Sequence, residues 1–388
     1  MNIFFKILLL IFLILKTSNS FSEENKIKIG ILAPLSGENA ELGQQIVNSI
    51  RMALIEISDN KIEVYPKDTK SDPNITLRSA KNLEQLGVSL VIGPVFHKNL
   101  LYLNEVENIT FLSLTNKTLD LPKNVISSGI NATSQLNTIK KFLELNKIKK
   151  SIFLVPNRNY DLEVEKGIKK SKLKFFKQYY YDIEPTKLTK QIEEITNYEI
   201  RKQNLLDEIL RIENSDRPNK DREVEKLKKK YTLGSLPFDS VIIADFDESL
   251  KSVITSLLYT DVSPKEKYII TFNQWFDESL LKETSAQPIY YPSINKKNLD
   301  DFISKFSSKF NYKPNHISLL SYDLIGLIYY LSLKNNLLEI NKSFKTKNTF
   351  KGKIGIFEIK DNKINHQLNF YEINKGELKE IFWFFWMQ

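Results

Sequence analysis

The residues able to do chemistry in this chain are few and dispersed. Its three histidines, His97, His316 and His366, stand far apart, and there is no cysteine. Thiol catalysis, disulfides and cysteine-ligated zinc are thereby excluded, and no histidine-rich metal site is expected. The chain contains no H-E-x-x-H, G-x-S-x-G or G-x-x-x-x-G-K-[ST] motif, and Gly37 and Gly43 do not fit G-x-G-x-x-G. Carboxylate neighbours such as Asp245 and Asp247 are unremarkable where 27% of residues are charged. The expectation is a non-enzyme without cofactor or metal. What remains is binding. In "IGILAPLSGENAELGQ" (29–44) an apolar run ends at Pro34, Ser36 and Gly37 turn the chain, and an amphipathic pattern follows. Backbone donors near a helix N-terminus favour a carboxylate or another small anion. No lysine follows at the spacing a triphosphate would need.

Elements of one kind must position that loop. Ile46, Ile50, Leu54 and Ile57 mark one helix face behind the first strand. "KIEVYPKDT", "VSLVIGPV" and "ITFLSLTN" read as further strands with a helix among them. The same alternation resumes in "KKSIFLVPNRNYDLEVEKGIKK", "FDSVIIADFDESLKSVITSLLY" and "EKYIITFNQWF". The reading is α/β: two Rossmann-like lobes of parallel sheet flanked by helices. Ligands of open α/β sheets bind beyond the carboxyl ends of the strands. The candidate cleft residues are therefore Ser36, Gly37, His97, Thr115, Asn116, Tyr160, Asp245 and Gln274.

Composition supplies the address. Residues 1–22, "MNIFFKILLLIFLILKTSNSFS", have a lysine, an apolar core and small residues before the cut, the layout of a cleavable secretory signal. The expectation is an exported, periplasmic protein. Net charge is +9, falling to +7 once Lys6 and Lys16 leave with the signal. Lysines are spread among acidic residues, so no nucleic-acid partner is expected. Residues 188–234 are dense in charge. Leu205, Ile209 and Ile212 share one helix face, Val224, Leu227 and Tyr231 another, and Pro218 breaks the chain between them. They read as a protruding helical hairpin inserted in the second lobe. The chain ends in five aromatics, Phe382 to Trp386. A strand there would face alternate rings to opposite sides.

"KIKIGILAPLSGENAELGQQIVNSIRMAL", "LEQLGVSLVIGPV" and "ITFLSLTN" resemble the type 1 periplasmic binding proteins, the leucine-binding family in particular. "PKDTKSDP", the segment "ITNYEIRKQNLLDEILRI…YTLGSLPFDSVIIAD", "SLLSYDLIGLIYYL" and "FKGKIGIFEI" are similar to the penicillin-binding protein activator family, which shares that fold. The second resemblance implies a regulator of peptidoglycan synthesis that contacts a penicillin-binding protein. The first implies an alternative, a substrate-binding protein delivering a leucine-like amino acid to an ABC importer. In that family small hydroxyl residues after the third and fourth strands grip the α-carboxylate. Thr115 keeps that pattern, whereas the loop after the third strand carries Phe96, His97 and Lys98. The acid that meets the ammonium has no equivalent near Asn273 and Gln274, with Asp245 the substitute. No lipobox cysteine is present. The expected division is 23–128 with about 283–348 in the N-terminal lobe, and 129–282 with about 349–388 in the C-terminal lobe.

Overall fold

A computed structural model describes residues 26–157, 160–333, 335, 337–360 and 362–382. The signal segment and the aromatics beyond Phe382 lie outside the described residues. The first lobe begins with β1 (Ile27–Ala33), α1 (Ala40–Ile57), β2 (Ile62–Asp68), α2 (Pro73–Gln85), β3 (Leu90–Ile92), β4 (Thr110–Ser113) and β5 (Val125–Ser127). The chain then crosses to α3 (Ala132–Leu145), β6 (Ser151–Pro156), α4 (Asp161–Ser171) and β7 (Lys177–Tyr181). Three helices follow, α5 (Pro185–Thr196), α6 (Tyr198–Glu213) and α7 (Lys220–Lys228), before β8 (Ser240–Ile243), α8 (Asp247–Tyr259) and β9 (Tyr268–Thr271). After α9 (Glu278–Lys282) and β10 (Ile289–Ser293) the chain returns to α10 (Lys296–Phe310), α11 (His316–Ser332) and α12 (Leu337–Lys345). It ends with β11 (Asn348–Lys351), β12 (Ile356–Lys360), β13 (Lys363–Gln367), β14 (Asn369–Asn374) and β15 (Glu377–Phe382).

Local chemistry sets the element ends. Asp72 caps α2 by accepting from the Ile75 N–H, with Pro73 at the first helical position, where its missing N–H costs nothing. Asn131 and Asn295 cap α3 and α10 in the same way, accepting from Ser134 and Asn298. In β1, Ile29 and Ile31 point to one side and Leu32 to the other, and all three are buried. Such two-sided burial requires helices on both faces. One face packs on α1, α10 and α11 through Phe302, Phe306 and Leu319, the other on α2 through Ala80 and Leu83. The second sheet repeats this, with α5 and α8 on one face and α3 and α4 on the other.

The first sheet has the order β11-β12-β13-β5-β4-β3-β1-β2 and the second β15-β14-β10-β9-β8-β6-β7. Both are parallel at their centres and gain antiparallel strands at one edge, β12 and β11 in the first, β14 and β15 in the second. Short hairpin connections set that direction for the pairs β11–β12, β12–β13 and β14–β15.

Two of the expected lobe boundaries are corrected by this order. Residues 289–293 belong to the second sheet, so the return to the first lobe comes at Ser293–Lys296. Strands β11–β13 complete the first sheet, with Lys363 paired to Ser127 of β5, so of the final strands only β14 and β15 join the second. Apolar alternation shows that these strands need a sheet; it does not say which open edge they fill. Asn131 Nδ2, donating to the Ile364 carbonyl at 2.9 Å, is part of what holds β13 at the first edge. The lobes are thus joined by three chain crossings, after β5, after β10 and between β13 and β14.

Within 188–234, α5 is a covering helix of the second sheet, with Leu188 and Ile192 buried in its core. Only α6 and α7 pair beyond it, burying Leu205, Ile212 and Val224. Arg201 fixes the root of this arm. Its buried guanidinium donates to the carbonyls of Thr196 and Thr260 and to Thr232 Oγ1.

Candidate functional site

The carboxyl ends of β3 and β4 and the loop after β9 meet in a cavity of about 470 Å³ between the lobes. The first lobe contributes Phe96, His97 and Lys98 after β3, Thr115, Asn116 and Lys117 after β4, and His316 and Leu320 of α11. The second lobe contributes Trp275, whose ring stacks on His316 with centroids 4.1 Å apart and planes 19° from parallel. Gly129 lets the chain leaving β5 pass directly behind the β4 loop. A Cβ there would stand 2.6 Å from the Thr115 carbonyl oxygen.

The hydrogen bonds show which polar groups face the cavity with their shape already set. Thr115 Oγ1 accepts from the Lys117 N–H at 3.2 Å, which curls the loop back on itself. His97 Nε2 lies 3.1 Å from the Leu119 carbonyl, which can only accept, so that nitrogen carries the proton. Burial against Trp275 disfavours the charged form of His316 and lowers its pKa to about 4.

Of the eight candidate residues, His97, Thr115 and Asn116 line this cavity. The other five do not. Ser36 Oγ donates to Asp68 Oδ2 at 2.5 Å, and the Leu35 and Lys70 N–H groups donate to Oδ1, each at 2.8 Å. Burial pushes the Asp68 carboxyl up, yet these donors outweigh it and hold the pKa below its ordinary value. The opening loop is therefore folded onto a carboxylate of its own lobe, and Gly37 makes the turn at φ 80°. Asp245 is buried and accepts from Tyr181 Oη at 2.5 Å, from Ser249 Oγ and from the Phe246 N–H. Gln274 donates to the carbonyls of Phe272 and Asp245. Tyr160 turns toward Phe246, and its hydroxyl pKa is raised by burial and by the nearby Glu163 charge.

The residue that sequence reasoning missed is Glu163. It projects from the first turn of α4 in the second lobe, is 3% exposed, and reaches the β4 loop of the first. Oε1 accepts from the N–H groups of Thr118 and Leu119, both at 2.7 Å, and Oε2 from Thr118 Oγ1 at 2.8 Å. Lys166, one turn on, donates to the Thr118 carbonyl at 2.6 Å. In sequence an acid in a first helical turn reads only as a partner for the helix dipole. A second link between the lobes is the backbone N–H of His366 in β13, which donates to Ser134 Oγ of α3, while its ring bonds the Ser128 carbonyl of its own lobe at 2.8 Å. Among the described residues no three His, Asp or Glu side chains converge as a metal would require, and no helix is long and apolar enough to cross a membrane.

Residues 26–195 match the family model of the periplasmic binding proteins. An uncharacterized protein of Methanocaldococcus jannaschii, MJ1266, is 32% identical over 109 residues, which is 26% of this chain and only a quarter of that protein. The C-domain of LpoA from Haemophilus influenzae, a regulator of PBP1A, superposes with a TM-score of 0.64 at 14% identity, covering 92% of this chain and all of that one. LivJ from Streptococcus pneumoniae, a branched-chain amino acid transporter substrate-binding protein seen with isoleucine, gives 0.53 at 18% identity, covering 91% of this chain and 98% of its own.

Proposed function

We propose that this chain, which has the type 1 periplasmic binding protein fold, is a non-catalytic regulator of peptidoglycan synthesis. In this reading the protein is exported by residues 1–22 and acts in the periplasm by contact with a penicillin-binding protein. The observation that carries it is the Glu163 latch. A transport binding protein closes its lobes around its ligand, which supplies the groups that bridge them. Here the bridging carboxylate belongs to the protein, and three donors of the opposite lobe already satisfy it. Lobes tied in this way present a fixed outer surface, which suits a partner better than a solute. The arm of α6 and α7, anchored through Arg201, adds an elongated feature to that surface. That the LpoA C-domain, which superposes on this chain, is a regulator of PBP1A agrees with this reading.

The test uses purified protein and the purified penicillin-binding proteins of the same organism. Direct binding, with an increased rate of glycan polymerisation or cross-linking, is expected. Absence of binding to all of them, together with micromolar affinity for leucine or isoleucine, would favour the alternative. That second reading, an ABC-importer binding protein for an amino acid, draws on Thr115, which lines the inter-lobe cavity.

A further inference from the structure

Strands β6, β7, β8 and β9 run parallel, so their amino ends share the end of the second lobe that faces away from the cleft. Two segments come together at one corner of that end. The chain from α3 into β6 reads ELNKIKK (144–150), and the chain from α4 into β7 reads KKSKLKFFK (169–177). Lys140 of α3 donates to the Ser171 carbonyl that ends α4, Lys177 pairs with Ile152, and the Phe176 N–H donates to the Ser151 carbonyl at 2.7 Å. The two segments hold eight lysines and one acid, Glu144. Lys147, Lys149, Lys150, Lys169, Lys172 and Lys174 are all exposed. Three further acids share this end of the lobe. Asp239 accepts from the Lys150 N–H, Asp261 accepts from Thr232 Oγ1, and Glu266 stands between Lys265 and Lys267. Among the lysines lie two apolar side chains, Leu145 and Phe176, 46% and 56% exposed. Lysines in the last turn of α4 offset its dipole, an effect confined to that turn. Lys147, Lys149, Lys150, Lys172 and Lys174 lie beyond the helix ends, where that role does not reach.

We propose that this corner is a docking surface for an anionic lipid bilayer. The cations are all lysine. Protein interfaces favour arginine, whose planar fork fixes a carboxylate, and are depleted in lysine. Lysine is a compact charge on a flexible stem, which suits headgroups that move, and each one near the surface adds to the attraction. A soluble polyanion would satisfy the charge and leave Phe176 and Leu145 in water, whereas a bilayer interface takes up an aromatic ring beside cations. With so little apolar surface to insert, the contact is peripheral and reversible. It leaves the cleft, at the other end of the strands, open. The inference concerns this corner alone and does not rest on the regulatory reading.

Co-sedimentation of the purified protein with lipid vesicles tests it. Phosphatidylcholine vesicles are compared with vesicles in which about one third of the lipid is phosphatidylglycerol. Binding to the anionic vesicles should be at least tenfold tighter, and it should fall fivefold or more between about 0.1 M and about 0.5 M salt as screening shortens. The triple substitution Lys149→Gln, Lys150→Gln and Lys174→Gln should weaken it roughly tenfold or more. Removing the same charge from exposed positions of the first lobe, by Lys123→Gln, Lys297→Gln and Lys309→Gln, should change it less than twofold. Phe176→Ser should weaken it about threefold. Residues 1–22 and 383–388 are the same in every variant, and circular dichroism should confirm that each one folds. Five results would overturn the proposal: no binding to the anionic vesicles, equal binding to neutral ones, first-lobe substitutions as damaging as those at the corner, Phe176→Ser without effect, or soluble polyglutamate bound as tightly as the vesicles. All five leave the regulatory reading standing, since that reading is decided on penicillin-binding proteins without lipid.

Discussion

The two walls of the cleft are built from the same strand–loop–helix units, yet they treat their polar residues oppositely. In the first lobe the loops after β3 and β4 turn His97, Thr115 and Asn116 outward to the cavity. In the second lobe the corresponding loops turn Asp245 and Gln274 inward, where Tyr181, Ser249 and main-chain carbonyls take up their hydrogen bonds. The second lobe then meets the first through Glu163 of α4 and through Trp275, the residue that follows Gln274. One wall lines the cavity and the other is a clasp. Strand-end position therefore nominates a residue for ligand contact, but the local supply of donors and acceptors decides whether it faces out.

The sharpest way to break this comparison is to remove the clasp. Glu163→Ala leaves the Thr118 and Leu119 N–H groups and the Thr118 hydroxyl without their shared acceptor. Hydrogen bonds to a charged group contribute about 1.5–3 kcal/mol each, so a loss of ~3 kcal/mol or more is expected. Thermal or denaturant unfolding should register it, and small-angle scattering should show the lobes parting. Glu163→Gln, which keeps an acceptor, should lose roughly half as much. A stability unchanged in both variants would mean that the three chain crossings alone fix the lobes.

Next in size is the pH response of the first lobe, the wall that the clasp meets. Burial lowers the folded pKa of His366 to about 4, whereas an unfolded histidine titrates near 6.5. Above pH 6.5 the ring is neutral in both states. As pH falls toward 4 only the unfolded chain gains the proton, so stability is lost through that window. The full shift corresponds to ~3 kcal/mol. Asp323 works in the opposite direction, because burial outweighs its bonds from the Lys353 and Ile354 N–H groups and raises it to about 6. Its unfolded form gives up the proton first, so stability falls as pH rises from about 4 to 6. His366→Gln should flatten the acid loss by close to one proton, and Asp323→Asn should remove the opposing slope. Denaturant titrations between pH 4 and 7 separate the two.

A smaller effect is expected at the stack. Trp275→Ala removes the ring over His316, worth about 1 kcal/mol in an aromatic pair. It also opens His316 to water, so the imidazole pKa should rise from about 4 toward its ordinary value. The C2 proton of His316 in NMR would follow that change. If the pKa stays low, the first lobe alone buries the ring and the second wall contributes little.

Much of this architecture is readable in the residues. The burial of Ile29, Ile31 and Leu32 on two faces, the caps at Asp72 and Asn131, and the pairing of α6 with α7 all follow from local pattern and propensity. What is not readable is long-range choice. Ile356 and Phe357 alternate as any edge strand does, and only the assembled sheets decide that they join β13 and not β14. Glu163 is likewise indistinguishable from a dipole partner until α4 is laid against the β4 loop. The same holds for Ser36, whose hydroxyl is used by Asp68, a residue 32 positions away.

The smallest effect on stability is expected on the arm, where the comparison with the clasp is cleanest. Leu206 and Leu210 lie one turn apart on α6 and are 48% and 56% exposed, while Leu205 and Ile212 form its buried side. Replacing both exposed leucines with serine removes little packing, and surface changes of this kind stay within about 0.5 kcal/mol. If the arm is the surface by which the protein holds a penicillin-binding protein, the same pair of substitutions should weaken that complex at least tenfold, equivalent to ~1.4 kcal/mol. Glu163→Ala should show the reverse split, a large loss of stability with binding affected only as the lobes part. Unfolding curves and binding isotherms measured on the two variants side by side decide it. Arm substitutions that leave affinity unchanged would move the contact surface away from α6, and a stability loss above 2 kcal/mol would show that these leucines cover part of the lobe.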